Sequence, residues 1–209
     1  MVQSIPEFFH SNGERSLEIA TKYLPSFHLS GDFFSISKTA EGGAAMLVAD
    51  VMGHGVHAAM VTAMIQLAVQ QLSQHLTQPG SFMTQLNEMM ERTIHSAGQP
   101  LFATAIYSYL DPDTRQLTYA QAGARHGAFV PTTDTPNPII LNAASIDPAI
   151  GLLPDTEYSD TVLDLNAGDE IIFYTDGIVE AAMDTEEYSE ERLLQFLMAH
   201  RRDALPDML

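Results

Sequence analysis

The order in which the chain changes its hydrophobic period limits the folds open to it. Strand-like stretches at 17–24 (LEIATKYL), 32–37 (DFFSIS) and 44–49 (AAMLVA) come first. Helical spacing then holds from Val56 to Leu76, with Gln66, Gln70, Gln71 and Gln74 marking a polar edge on an otherwise apolar helix that is expected to be largely buried. Pro79-Gly80 breaks the chain, and Ser81 is placed to cap a second, amphipathic helix carrying Phe82, Leu86, Met89, Met90 and Ile94. Two hairpins are predicted next, 102–110 with 117–122 around DPDTRQ and 160–165 with 170–174 around NAGD, followed by a Glu-rich helix over about 189–200. Between the hairpins, residues 131–154 are rich in Pro, Thr, Asn and Asp around a short apolar 139–141 segment, and read as a surface loop region. Strands, two consecutive helices, hairpins and a last helix do not alternate as βαβ units, so the pattern predicts an antiparallel α+β layering.

A length of 209 residues suits one sizeable core. Acidic side chains number 27 against 9 basic ones, a net charge of −18, so the average surface repels nucleic-acid phosphates and anionic lipid headgroups. No nucleic-acid or membrane partner is expected. The chain has no cysteine, which excludes disulfides, thiolate zinc sites and cysteine-nucleophile phosphatase chemistry. The N-terminus, MVQSIPEFFHSNGERS, has neither the basic start nor the continuous apolar stretch of a secretory signal. The apolar stretch from Ala58 to Val69 is too short to span a bilayer and is interrupted by Thr62 and Gln66. A cytoplasmic location is the default expectation.

Acidic residues set in apolar surroundings call for a separate account. Asp32, Asp50 and Asp176 each stand where an apolar or aromatic strand meets a glycine-containing turn: Gly31-Asp32, Asp50-Val51-Met52-Gly53 and Asp176-Gly177. Each alone is ordinary turn chemistry, since an Asp side chain caps nearby backbone donors. Brought together at one end of a sheet, the three would repel one another unless cations neutralised them. All-oxygen donor sets of this kind favour Mg²⁺ or Mn²⁺ over softer metals.

In chain order the segments GDFFSI, VADVMGHGVHAAM, FATAIYSYLDPDTRQLTYAQAG and LNAGDEIIFYTDGIVEA resemble the SpoIIE/RsbU branch of the PPM-type metal-dependent protein serine/threonine phosphatases. The resemblance covers nearly the whole chain. It implies a single domain over 1–209 built as an αββα sandwich, two antiparallel sheets flanked by helices. It further implies that Asp50 bridges two metal ions, Mn²⁺ or Mg²⁺, that the main-chain carbonyl of Val51 adds a ligand, that Asp176 holds the second ion and that Asp32 ligates directly or through water. Asp50 and Asp176 are then the catalytic carboxylates. Metal-activated water would hydrolyse a phosphoserine or phosphothreonine on a partner protein, with no need of a Cys, Ser or His nucleophile. The implied substrate is a phosphorylated STAS-type anti-sigma-factor antagonist, and the implied setting is a signalling chain in which a sensor or receiver domain precedes the phosphatase.

The chain departs from the branch pattern in three places. A further carboxylate near the C-terminus, in an Asp-Asp-x-Thr-like segment leading into a last strand, has no counterpart, because Asp203 and Asp207 lack that strand context. Either the chain lacks its C-terminal strand, as it is expected to lack an N-terminal regulatory domain, or the second ion is held by fewer protein ligands and more waters. Ser35 stands where the branch often has a second Asp, and Ala124-Arg125 where a histidine commonly follows the AG of the hairpin. Arg125 or His126 at this hairpin end could touch a substrate phosphate, but a solvated side chain is the simpler expectation.

Other readings carry less. His54 and His57 at a helix start are compatible with zinc, yet no third His or thiolate lies nearby in sequence. Gly53-His54-Gly55 lacks the Lys and Ser/Thr of a P-loop, which disfavours nucleotide hydrolysis. Met60, Met64 and Leu67 read as core, and the Glu run at 186–191 as a solvated helix start complementing the dipole. The alternative from another class is a non-catalytic binding module that keeps the phosphatase fold in a partner-switching pathway.

Overall fold

The computed structural model describes residues 8–11, 14–24, 31–40, 42–53, 55–94, 101–123, 126–133, 137–142, 147–183, 186–201 and 203. In chain order the elements are β1 (Phe8–Ser11), β2 (Glu14–Glu18), β3 (Asp32–Lys38), β4 (Ala44–Val51), α1 (Val56–Gln71), α2 (Pro79–Ile94), β5 (Ala103–Asp111) and β6 (Gln116–Ala122). They continue with β7 (Gly127–Val130), β8 (Ile139–Ile140), β9 (Thr161–Asp164), β10 (Glu170–Phe173), α3 (Asp176–Val179), β11 (Ala182–Met183), β12 (Glu186–Glu187) and α4 (Ser189–His200). A five-stranded sheet runs β3-β4-β5-β6-β9 and a three-stranded sheet runs β10-β7-β8, both antiparallel throughout. Two short ribbons, β1-β2 and β11-β12, stand apart.

Side-chain alternation along the strands builds the layers, because successive residues face opposite sides of a sheet. On β4, β5 and β6 one set, including Leu47, Ala49, Tyr107 and Ala120, packs under α1 and α2 with Ile65, Phe82 and Leu86. The other set, with Ile106, Leu110, Leu117 and Tyr119, meets Phe129, Leu141, Ile171 and Phe173 of the second sheet. The outer face of that small sheet, through Ala128, Val130 and Ile140, packs on Leu193 and Leu197 of α4. The sequence of layers is helices, large sheet, small sheet, helix, which is the αββα sandwich expected from the sequence. Strands covered on both faces explain why AAMLVA reads as a nearly unbroken apolar run.

The hairpin of β5 and β6 forms as predicted, with Asp111 opposite Gln116. Asp111 Oδ1 accepts from the backbone N–H groups of Asp113 (2.9 Å) and Thr114 (3.3 Å), the local side-chain bond that makes Asp a turn former. The second predicted hairpin does not form. β9 pairs with β6 in the large sheet, whereas β10 pairs with β7 in the small one, so NAGD carries the chain between layers. Asn166 and Asp169 make that link through a tight turn, Asn166 N–H donating to Asp169 Oδ2 at 2.7 Å.

Four further expectations are corrected. The 17–24 stretch is strand only to Glu18. α1 ends at Gln71, followed by a 3₁₀ turn at Ser73–His75, and α2 begins at Pro79, leaving Ser81 inside the helix. Proline suits a first helical position because its missing N–H has no partner there anyway. The cap comes from far along the chain, Gly80 N–H donating to Asp160 Oδ1 at 2.6 Å. Within the 131–154 region, Ile140, Leu141, Ala149 and Ile150 are buried, and Ile150 exchanges backbone hydrogen bonds with Ala103 at 2.8 and 3.0 Å. Finally, α1 buries Ala58, Val61, Ile65 and Ala68 but leaves Val56, Met60 and Leu67 62, 60 and 58% exposed, so Met60 and Leu67 are not core. The helix lies on the sheet by one face and α2 by a second, and the rest of its apolar surface turns outward. No described helix is long and apolar enough to cross a membrane.

Candidate metal centre

β3 and β4 pair so that Asp32 lies opposite Asp50, and β4 and β5 so that Asp50 lies opposite Thr104. Two of the three candidate carboxylates are therefore placed by strand register alone. Gly31 closes the same corner: a Cβ there would lie 2.5 Å from the Val51 carbonyl oxygen and 3.3 Å from Asp50 Oδ1. The glycine of the Gly-Asp pair is thus required for space, and it keeps a small cradle open around the Val51 carbonyl and the Asp50 carboxylate. Val51 N–H donates to the Gly31 carbonyl at 3.2 Å, which holds the two strand ends together. Gly53 and Gly55, in the turn from β4 to α1, have φ of 88° and 83° with open space around them, so there the backbone conformation itself selects glycine.

Asp176 arrives from the other sheet. The chain leaves β10 through Tyr174 and Thr175, and Asp176 is the first residue of the one-turn helix α3 rather than part of a strand-end turn. Asp176 lines the same cleft as Asp50, close enough for its charge to act on the Asp50 carboxyl. Burial pushes the Asp50 carboxyl up from 3.8 to about 7, and the charges of Asp176, Asp32 and Glu180 push the same way.

These groups stand at an open cleft of about 540 Å³ whose lining includes Asp50, Met52, Thr104, His126, Asp176 and Glu190. Among the described residues no three His, Asp or Glu side chains converge tightly enough to hold an ion by themselves. The donor set nevertheless fits a hard divalent cation: two carboxylates lining one cleft, a third opposite in register, and a backbone carbonyl in the cradle left by Gly31. A cation there would favour the ionised form of Asp50 that the surrounding carboxylates oppose.

His126 departs most from the sequence reading. It is 2% exposed rather than solvated, with Nδ1 3.1 Å from the Tyr174 carbonyl oxygen and Nε2 2.8 Å from Thr104 Oγ1. Desolvation lowers its pKa, against the opposing pull of the Asp176 charge, the Tyr174 hydrogen bond and the Asp32 charge. Glu180 has no role in the sequence reading, and Glu190, expected only as part of the solvated Glu run at 186–191, lines the cleft. Glu180 lies one helical turn after Asp176, a spacing that could have flagged it, while Glu190 reaches the cleft only because α4 packs beside it. His57 is exposed on α1, and Ser35 is buried along β3 away from the cleft lining. Asp203 accepts from His200 Nδ1 at 2.7 Å on the surface. The expectations placed on His54, Ala124, Arg125 and Asp207 lie outside the described residues.

Two sheets face to face between helices, with acidic residues from both meeting at one end, define an αββα metal-type phosphatase architecture. A structure described as the SiaA-PP2C domain of Pseudomonas aeruginosa has this fold, with a TM-score of 0.73 at 23% identity over 88% of this chain and 72% of that one. The family model for Stage II sporulation protein E (SpoIIE) matches residues 40–209, and the chain belongs to that family. It is similar to phosphoserine phosphatase RsbU of Bacillus subtilis, 25% identical over 94% of this chain and 56% of the relative. Phosphoserine phosphatase RsbP of the same organism is 29% identical over 78% of this chain and 40% of its own. The chain therefore spans about half the length of these relatives.

Proposed function

We propose that this chain is the catalytic part of a metal-dependent protein serine/threonine phosphatase. The observation that carries the reading is the convergence of Asp50 and Asp176: two carboxylates carried by different sheets that line one cleft, with Asp32 opposite Asp50 in register, at a position where burial and neighbouring charge disfavour the ionised form of Asp50 unless a cation is bound. In this proposal Asp50 and Asp176 are the catalytic metal ligands, the Val51 carbonyl contributes a further oxygen, and Asp32 acts directly or through water. Hard oxygen donors suit Mn²⁺ or Mg²⁺, and two ions are expected. Bound ions would supply an acidified water near neutral pH and stabilise charge on phosphoryl oxygens.

Membership in the SpoIIE family and similarity to two phosphoserine phosphatases support a phosphorylated serine as the group attacked; phosphothreonine and a cytoplasmic signalling protein as its carrier belong to the same proposal. A STAS-type antagonist is the specific candidate, with a sensor or receiver domain as the regulatory partner. The strongly negative surface, −18 overall, does not favour nucleic-acid substrates.

The test is Mn²⁺-dependent phosphate release from a phosphoserine protein, with Asp50→Ala beside the wild type. The expected loss is on the order of 10³-fold, equivalent to several kcal/mol of transition-state stabilisation. If wild-type protein supplied with Mn²⁺ and several phosphoproteins binds them but releases no phosphate, the reading fails and a phosphoprotein-binding module takes its place.

A further inference from the structure

The two carboxylates that meet in the cleft are carried by different sheets. Asp50 is held by the ladder of the large sheet, where its partner across β5 is Thr104. Asp176 follows β10 of the small sheet by three residues, and Tyr174 is the last buried residue before it. Apolar packing between the sheets is non-directional. Hydrophobic burial alone would therefore tolerate small sliding of one sheet over the other, and such sliding would change the Asp50–Asp176 separation.

One side chain spans this seam at the site. His126 sits immediately before β7, and its backbone carbonyl accepts from Tyr174 N–H at 3.0 Å. Its ring returns a second bond to the same residue: a carbonyl only accepts, so Nδ1 carries the hydrogen toward the Tyr174 oxygen at 3.1 Å. In the neutral ring that tautomer leaves Nε2 as an acceptor, and the Thr104 hydroxyl donates to it at 2.8 Å. Both ring nitrogens are thus used, at a residue that is 2% exposed. The chain of bonds runs from the residue opposite Asp50, through one imidazole, to the residue two before Asp176.

We propose that His126 is a positioning residue, a cross-sheet tie that sets the separation of Asp50 and Asp176 and hence the fit of the cleft for a divalent ion. The inference rests on the metal reading given above. It assigns His126 no contact with substrate and no proton transfer. A rigid tie of this kind matters because a binding constellation must be held to within about 0.5 Å, and groups that orient metal ligands typically change metal affinity 10- to 100-fold when removed.

The experiment compares Mn²⁺ affinity, by titration calorimetry, with metal-free thermal stability in four variants. Thr104→Val removes only the hydroxyl bond. His126→Phe keeps a ring and removes both ring bonds, and His126→Asn places an amide nitrogen where Nδ1 was, retaining the bond to Tyr174. Tyr119→Phe is the control, since it breaks another cross-sheet bond, Tyr119 OH to the Asn142 carbonyl (3.1 Å), on β6 away from the cleft. The Mn²⁺ dissociation constant is expected to rise about 10-fold in Thr104→Val and 10- to 100-fold in His126→Phe, with His126→Asn between wild type and His126→Phe. Tyr119→Phe should lose comparable stability with affinity unchanged. In the metal-free wild type, ¹⁵N shifts should show a neutral, Nδ1-protonated ring. If Thr104→Val binds Mn²⁺ as tightly as wild type, or if Tyr119→Phe weakens binding equally, the tie is only structural and the inference fails. A wild-type protein that binds no Mn²⁺ overturns the metal reading itself, a result separable from the first two.

Discussion

The two sheets are assembled in different ways. Four strands of the large sheet, β3 to β6, are neighbours in the order in which they occur in the chain, and only β9 joins from a distance. The small sheet takes β10, β7 and β8 in that order, so its central pair joins residues about 40 positions apart along the chain. Asp32 and Asp50 belong to the first kind of construction and Asp176 to the second. The site is therefore half local and half non-local, and the non-local half depends on how well the small sheet is seated. The β3–β4 and β5–β6 hairpins need only short loop closures, whereas the pairing of β7 with β10, like that of β4 with β5 across α1 and α2, orders a long intervening segment first.

The largest test of that difference is Phe129→Ala, which empties part of the layer between the sheets. The loss should be about 3 kcal/mol, lowering Tm by roughly 6–12 °C in thermal denaturation followed by circular dichroism. Hydrogen exchange on the same variant should show amides of β7 and β10 opening at lower free energy than those of the β3–β4 hairpin. Equal protection in both sheets would mean a single cooperative unit and would remove the distinction.

The next effect concerns the contact where the halves meet. Burial, reinforced by the surrounding carboxylates, holds the folded-state pKa of Asp50 at about 7, against 3.8 as the ordinary value. Below pH 3.8 both folded and unfolded chains carry the proton, and the site adds no pH dependence. Between pH 3.8 and 7 only the folded chain holds it, so raising the pH favours unfolding, and above 7 the penalty is complete. Asp50→Asn removes this penalty. In urea denaturation without metal, the variant should gain about 1–2 kcal/mol over wild type between pH 4 and pH 8, after allowing for solvent screening at a half-buried site. Parallel pH profiles for the two proteins would show that the Asp50 carboxyl is not raised in solution by burial and its acidic neighbours.

The smallest effect is expected at Ser108, on the face of β5 that meets the small sheet. Its hydroxyl is fully buried without a hydrogen-bond partner. Ser108→Ala should leave stability unchanged or raise it by up to about 1 kcal/mol, as read from the urea midpoint. A loss of more than about 1 kcal/mol would reveal a polar partner for Ser108 and add a further polar tie to those of His126 and Tyr119.

The sequence by itself determined the strands β3 to β6 and the α4 helix, through hydrophobic period and turn chemistry, and it placed Asp32 and Asp50 at strand ends beside required glycines. These features depend on neighbours a few residues away or on one hairpin register, and such information is written locally. The same local pattern singled out Asp176, and the family resemblance added the layer order and the metal-ligand roles. Only the tertiary structure decided that NAGD crosses between sheets instead of closing a hairpin, that Asp160 caps α2, and that Asp176 opens a helical turn against Asp50. It also decided that His126, which reads as an exposed residue at a hairpin end, is a buried link between Thr104 and Tyr174. Each of these depends on a partner 22 to 126 residues away, and the physical reason they escape a sequence reading is the same: a polar side chain's role is set by which groups packing brings beside it, and no local pattern encodes that approach.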